Sequence, residues 1–203
     1  MEQHNIKFEI PWADDDAFYE SYYSQTIDKL SHISITSKYK PELEIYITSF
    51  NGLIFAQYQL KLLTKFLWGR TIFKIFFFDT NSHVNPEASN ALWQFCQENN
   101  IDYVKLPHNK FQDLDQLSFK LGTDMNWIWR NIVKVRQPKY FGFLDQDCFL
   151  IKDCWRGIKK HLDDHGVYGL AWPQDPGYVN HEYWLVHIMQ NFFKYDFVKD
   201  IDL

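Results

Sequence analysis

Four pairs of aspartates stand one residue apart in this chain: Asp14/Asp16, Asp113/Asp115, Asp145/Asp147 and Asp200/Asp202. Carboxylates at that spacing can share a divalent cation, because residues i and i+2 of a strand project to the same side. Two like charges held close stay ionised only beside a cation or hydrogen-bond donors. Hard oxygen ligands suit Mg²⁺ or Mn²⁺, which keep several waters and take further oxygens from a substrate's phosphates. The spacing alone is a weak signal, and context separates the pairs. Asp14/Asp16 and Asp113/Asp115 lie in polar stretches, as helix caps or solvated charges, and Asp200/Asp202 closes the sequence. Asp145/Asp147 interrupts an apolar run, "YFGFLDQDCFL" at 140–150. Asp is a poor strand former and a charge is costly inside a sheet, so this pair belongs where a buried strand ends. Two accounts fit it: a cation bridging Asp147, with Asp145, to a diphosphate, or a capped strand end whose carboxylates bond loop amides.

The patterning upstream supplies a scaffold for such a site. In "LEIYITSFN", Leu43, Ile45 and Ile47 alternate with Glu44, Tyr46 and Thr48, which predicts a strand ending at the turn signal Asn51-Gly52. Leu53, Ala56, Leu60, Leu63 and Leu67 share one face of a predicted helix closed by Gly69. "TIFKIFFFDT" is the near-continuous apolar run of a strand buried on both faces. "NPEASNALWQFCQENN" predicts a helix with Pro86 in its first turn, and "IDYVKLP" a third strand. Residues 43–107 therefore read strand, helix, strand, helix, strand, which implies a parallel, nucleotide-binding type of sheet.

One or two helices follow before residue 137, with Trp127, Ile128, Ile132, Val133 and Val135 as packing positions. "KYFGFL" is the fourth strand, "WRGIKKHLDDHG" a helix ended by Gly166, and "VYGLAW" a fifth strand. The apolar density of "EYWLVHIMQNFFKYDFVKDIDL" suits a strand or a helix equally. Residues 1–40 are expected to form an arm, with a helix packing Phe18, Tyr22, Ile27 and Leu30 on the domain of residues 41–203.

Bulk composition narrows the partners. A net charge of −5 argues against wrapping a nucleic acid, while leaving room for a small nucleotide cleft. Aromatics make up 19% of the chain. Most are expected in the core, and some Trp and Tyr residues suit a cleft for ring-shaped ligands such as sugars. Three cysteines without zinc-ligand spacing read as reduced thiols of a cytoplasmic protein. The polar, acidic N-terminus is no secretion signal, and no apolar run approaches the roughly 20 residues needed to span a bilayer.

With the aspartate pair at the end of the fourth strand, residues 41–175 resemble the nucleotide-sugar-dependent glycosyltransferases of the GT-A type, family 2. "LEIYITSFNG" is similar to their first strand, "FFFDTNSH" to the second, and "YFGFLDQDCFL" to the strand that carries their D-x-D. The resemblance implies a GT-A (Rossmann-like) α/β fold, a mostly parallel sheet flanked by helices. It implies that Thr48, Ser49, Phe50 and Asn51 border the base, with a UDP-sugar as the favoured donor. Asp79 would fix base or ribose, Asp145 would contact ribose or the metal, and Asp147 would bind Mn²⁺ or Mg²⁺. Some relatives take a third ligand from a late His, which here means His181 or His187. Trp172 and Trp184 are candidates for stacking on a sugar acceptor, with core packing as the competing account. Asn126 and Arg130 stand where the family places further polar contacts, although a solvent-facing helix side also explains them, and Lys110, after "LPHN", is a candidate to reach a phosphate.

Inverting members use an Asp or Glu well after the D-x-D as general base. Asp175 and Glu182 follow Asp147, but neither sits in a recognisable motif. The domain is thus expected to be C-terminally truncated or a minimal version. Two other activities share parts of this pattern. A non-catalytic nucleotide-binding module fits a degenerate transferase. A haloacid-dehalogenase-type phosphatase also begins with an apolar strand and D-x-D, its first Asp acting as nucleophile. There, however, the motif opens the domain, and here it is on the fourth strand. The first strand is not followed by G-x-G-x-x-G, and no P-loop occurs, which disfavours dinucleotide and P-loop chemistry.

Overall fold

The computed structural model describes residues 16–25, 40–50, 52–80, 84–109, 117–172 and 185–201. Their strands form one six-stranded sheet in the order β3-β2-β1-β4-β6-β5. The first half is β1 (Leu43–Ser49), α2 (Leu53–Leu67), β2 (Phe73–Asp79), α3 (Pro86–Glu98) and β3 (Asp102–Lys105), after a short α1 (Asp16–Tyr23). These strands run parallel, as does β4 (Tyr140–Asp145) beside β1. The mostly parallel α/β sheet flanked by helices is as the sequence predicts.

Alternation along the strands creates two cores. Leu43, Ile45, Ile47, Ile75 and Phe77 face one side of the sheet, where Ala56, Leu63 and Leu67 of α2 meet Leu92 and Cys96 of α3. Tyr46, Phe76, Phe78, Phe141 and Phe143 face the other side, against Tyr22 and the long helix before β4. Every residue of β1 is buried, and only Asp145 of β4 is not. This two-sided burial is why the strands read as apolar runs.

The helical stretch before β4 is a single rod with a flaw. α4 (Leu117–Ile128) passes through a π-helical turn, Trp129–Val133, into α5 (Lys134–Arg136). Trp127, Ile128, Ile132 and Val133 are buried as expected, but Val135 is 57% exposed. The π turn holds one residue more than an α turn, so the positions after it rotate by about 100°. Arg136 thereby enters the interior, where it forms a two-pronged ion pair with Glu44, the second residue of β1. The Tyr46 hydroxyl donates to the same carboxylate.

The C-terminal segment resolves as a strand. After α6 (Trp155–His165) and β5 (Val167–Trp172), β6 (Leu185–Lys194) inserts antiparallel between β4 and β5, and α7 (Tyr195–Val198) follows. An unpaired edge of the buried β4 would leave a row of backbone groups without partners, and β6 supplies them. Gly142 of β4 lies opposite Phe192 of β6. A Cβ there would stand 2.6 Å from the Phe192 ring, so the glycine is what lets the ring lie across the strand. No helix among the described residues is long and apolar enough to cross a membrane.

Candidate functional site

At β1 the chain order splits: β2 and β3 build outward on one side and β4 on the other. In open α/β sheets the crevice beyond the carboxyl ends of strands at such a point is where ligands bind. Here that crevice is a cavity of about 200 Å³. The strand ends contribute Thr48, Phe50, Thr80, Asp145 and Gln146, and α4 contributes Lys120, Leu121 and Asp124. Thr48 pairs in register with Asp145, and Ser49 with Asp79. Thr48, Phe50 and Asp145 are thus brought together.

The D-x-D geometry differs from the simple strand picture. The strand ends at Asp145, and Gln146 and Asp147 form a turn, so the two carboxylates do not project as i and i+2 of one strand. A charge next to a buried strand end finds room only where the backbone has left the sheet. Asp145 is half-buried, and its Oδ1 accepts from the Thr48 hydroxyl at 3.3 Å and the Gln146 backbone N–H at 3.1 Å. This is the amide-capped strand end that competes with the cation reading. Asp147 stands exposed on the turn.

Two glutamines hold this turn. Gln146, the middle residue of the motif, accepts from the Phe50 backbone N–H through Oε1 at 2.8 Å. Gly52 permits that approach, since a Cβ there would lie 2.6 Å from the same oxygen and 2.8 Å from Ser49 Oγ. Gln59 of α2, 1% exposed, donates from Nε2 to the carbonyls of Asp145 (2.8 Å) and Cys148 (3.1 Å). Burial first, then the charges of Asp147 and Asp145, push the Cys148 thiol up to about 11.

Behind the cavity lies a buried polar cluster. Lys120 Nζ donates to Asp124 Oδ2 at 3.0 Å. Asp124 Oδ1 accepts from the Tyr22 hydroxyl at 2.7 Å and from Asn109 Nδ2 at 3.0 Å. Lys120 and Asp124 are 4% and 1% exposed. In sequence, a Lys and an Asp four apart read as a solvated helix pair. Nothing local marks them as buried, and likewise nothing marks Gln59 or Gln146.

The remaining expected residues fall as follows. Asp79 is buried at the end of β2, and its Oδ2 accepts from the Tyr103 hydroxyl at 2.6 Å. Ser49 is buried, and its Oγ finds no partner among the described residues. Asn126 donates to the Tyr23 hydroxyl, and Arg130 lies over the Tyr23 ring, so both engage α1. Trp172 ends β5 and His187 lies on β6. Asn51, Lys110, Asp175, His181, Glu182 and Trp184 lie outside the described residues.

Asp145 and Asp147 offer two carboxylates, and no group of three or more His, Cys, Asp or Glu that could hold a metal occurs among the described residues. The two carboxylates fit Mg²⁺ or Mn²⁺, which take one or two carboxylates from the protein and the rest from water and phosphate. A larger hollow of about 760 Å³ opens at the opposite, amino end of β1 and β2, beside Trp68, Arg70 and Ile72. Its carboxylate, Glu42, is already engaged by Lys159 and Thr71, so the hollow offers no convergent free chemistry.

The chain is an α/β protein with a crevice at the topological switch point of a mostly parallel sheet. No protein-family model matches the chain, and no curated protein matches it. Solved structures do. A mannosyltransferase from Pyrobaculum calidifontis, in complex with GDP-Man and Mn²⁺, aligns over 90% of this chain and 52% of its own at 13% identity and a TM-score of 0.49. The TarS 1–349 structure from S. aureus aligns over 78% and 48% at 12% identity and a TM-score of 0.46. The mannosyltransferase Ktr4p from S. cerevisiae aligns over 99% and 69% at 11% identity and a TM-score of 0.48. The chain spans about half the length of the first two.

Proposed function

We propose that this chain carries the nucleotide-sugar site of a metal-dependent glycosyltransferase, moving a sugar from a nucleotide-diphosphate sugar to an acceptor hydroxyl with inversion. The observation that carries the reading is the position of Asp145 and Asp147. Asp145 ends β4 at the switch point and lines the cavity with Thr48 and Phe50, and Asp147 follows two residues on, exposed on the turn.

Thr48, Ser49, Phe50 and Asn51 border the base of a donor, a UDP-sugar in the favoured case. Asp79, at the end of β2, would support base or ribose, with the Tyr103 hydroxyl donating to its carboxylate. Asp147, with Asp145, would hold Mn²⁺ or Mg²⁺. Once bound, the cation supplies charge neutralisation for the departing diphosphate. The acceptor oxygen forms the new bond to the anomeric carbon, the bond to the diphosphate breaks, and the acceptor's proton passes to a base. Trp172 and Trp184 are the candidates for the acceptor side, and His187 for a third metal ligand.

The test is a thermal-shift panel of UDP, GDP, UDP-sugars and p-nitrophenyl phosphate, each with and without Mn²⁺. One nucleotide diphosphate should raise Tm in a metal-dependent way. Asp147→Asn should erase that dependence without lowering the Tm of the free protein, because Asp147 is exposed. No metal-dependent shift with any nucleotide sinks the proposal. Binding without sugar transfer or hydrolysis would point to a binding module, and p-nitrophenyl phosphate hydrolysis to a phosphatase.

A further inference from the structure

Lys120 is a nearly buried ammonium that lines the cavity. Its partners among the described residues are one Asp124 oxygen and the face of Phe50, 5.6 Å from the ring centroid. An ammonium has three N–H donors, and a buried one is stable only when they find acceptors. The cation–π contact supplies charge attraction but no acceptor lone pair. The geometry therefore leaves N–H capacity in the one wall of the cavity formed by α4.

That ammonium is aimed from a distance. Asp124 cannot swing away, because its other oxygen is fixed by Asn109 and by Tyr22. Tyr22 belongs to α1, a separate helix far away in the chain, and it is fully buried. Burial, then the Asp124 charge, pushes its hydroxyl far above the ordinary range, so it stays protonated and a donor. Asn109 also donates to the Lys120 carbonyl at 3.4 Å, tying that turn of α4 to the stretch that follows β3.

We propose that Lys120 donates to an oxygen of the bound nucleotide, and that Tyr22 of the N-terminal helix positions it through Asp124. Seating of α1 and occupancy of the cavity are then coupled. This rests on the nucleotide-site reading and adds the residue that grips the ligand opposite Asp145, and the element that holds it. The chemistry recognised is an oxygen acceptor, supplied by either a base carbonyl or a phosphate.

The test measures Kd by titration calorimetry on the full chain with UDP plus Mn²⁺, with uridine, and with pyrophosphate plus Mn²⁺. Lys120→Met should weaken UDP about 10- to 100-fold, the range of one hydrogen bond to a charged group. Lys120→Arg should restore most of it. A loss shared by uridine assigns the contact to the base or ribose, and a loss shared by pyrophosphate assigns it to phosphate. Tyr22→Phe should weaken UDP about 3- to 10-fold in the wild-type background and less than twofold in the Lys120→Met background. A merely structural Tyr22 would give equal losses in both.

If Lys120→Met fails to fold with Asp124 left unpaired, the Lys120→Met/Asp124→Asn pair, which buries no charge, takes its place. UDP binding within twofold of wild type in the Lys120 variant overturns this inference while the nucleotide reading stands. Failure of the wild-type protein to bind any of the three probes removes both.

Discussion

Replacing Gln59 with leucine tests what holds the turn that carries Asp147. Leucine keeps the buried bulk of the side chain and removes its amide. Gln59 Nε2 makes two hydrogen bonds, to the carbonyls of Asp145 and Cys148. The Asp145 carbonyl keeps a second donor, the Cys148 backbone N–H at 3.1 Å. The Cys148 carbonyl loses the side-chain donor it has. Against this, Gln59 Oε1 has no partner among the described residues, and removing it relieves a buried polar atom. Each hydrogen bond contributes about 1 kcal/mol net, so the substitution should cost about 1–2 kcal/mol. For a domain of this size that lowers Tm by about 2–8 °C. The local signature is sharper. The Cys148 amide, which closes the turn, should exchange with solvent about 5- to 30-fold faster, read by hydrogen-exchange mass spectrometry over residues 145–150. Metal-dependent nucleotide binding should weaken in the same variant, since Asp147 then samples more positions. Unchanged exchange at residues 145–150 alongside a lowered Tm would refute the idea that Gln59 fixes this turn.

Arg136→Met should be far more damaging than any surface change. It leaves Glu44, 1% exposed, with the Tyr46 hydroxyl in place of a guanidinium, at a cost of about 3–5 kcal/mol and a Tm lower by about 6–20 °C. The paired Glu44→Leu/Arg136→Met change should recover much of that loss in thermal unfolding. A single-variant cost below about 1 kcal/mol would contradict the buried-pair account. Cys96 gives a pH dependence. Burial first, then the charges of Asp79 and Asp102, push its thiol from 9.0 up to about 12. The folded chain keeps a proton that the unfolded chain releases above about pH 9. The contribution is intact below that pH and is lost as pH rises toward 12, by up to about 1.4 kcal/mol per unit. Urea unfolding between pH 8 and 10.5 should therefore lose stability more steeply for the wild type than for Cys96→Ala, and parallel slopes would remove the effect.

Much of the scaffold was legible in the residues. The alternation in "LEIYITS", the unbroken run "FKIFFFD" and the helix stops Gly69 and Gly166, both at positive φ, are signals carried within a few neighbours. So was the placement of Asp145 at a buried strand's end. What was not legible depends on a partner far along the chain. Val135 reads as a core position until the π turn at Trp129–Val133 rotates it outward and Arg136 inward. The segment around Phe192 has no local preference, and the open edge of β4 decides that it is a strand. Lys120 and Asp124 look solvated until Tyr22 of α1 bonds Asp124 and Phe50 lies against Lys120.

The sequence by itself determined the βαβαβ order and the strand end on which the aspartates stand, because periodicities of 2 and 3.6 are set by local backbone geometry. Only the tertiary structure decided that Asp147 leaves the sheet on a turn held by Gln59, and that Gln146 closes the β1 loop. It alone placed a buried lysine in the cavity's wall. Those outcomes depend on which surfaces meet across the sheet, and burial converts an ordinary polar residue into a fixed one only after they have met.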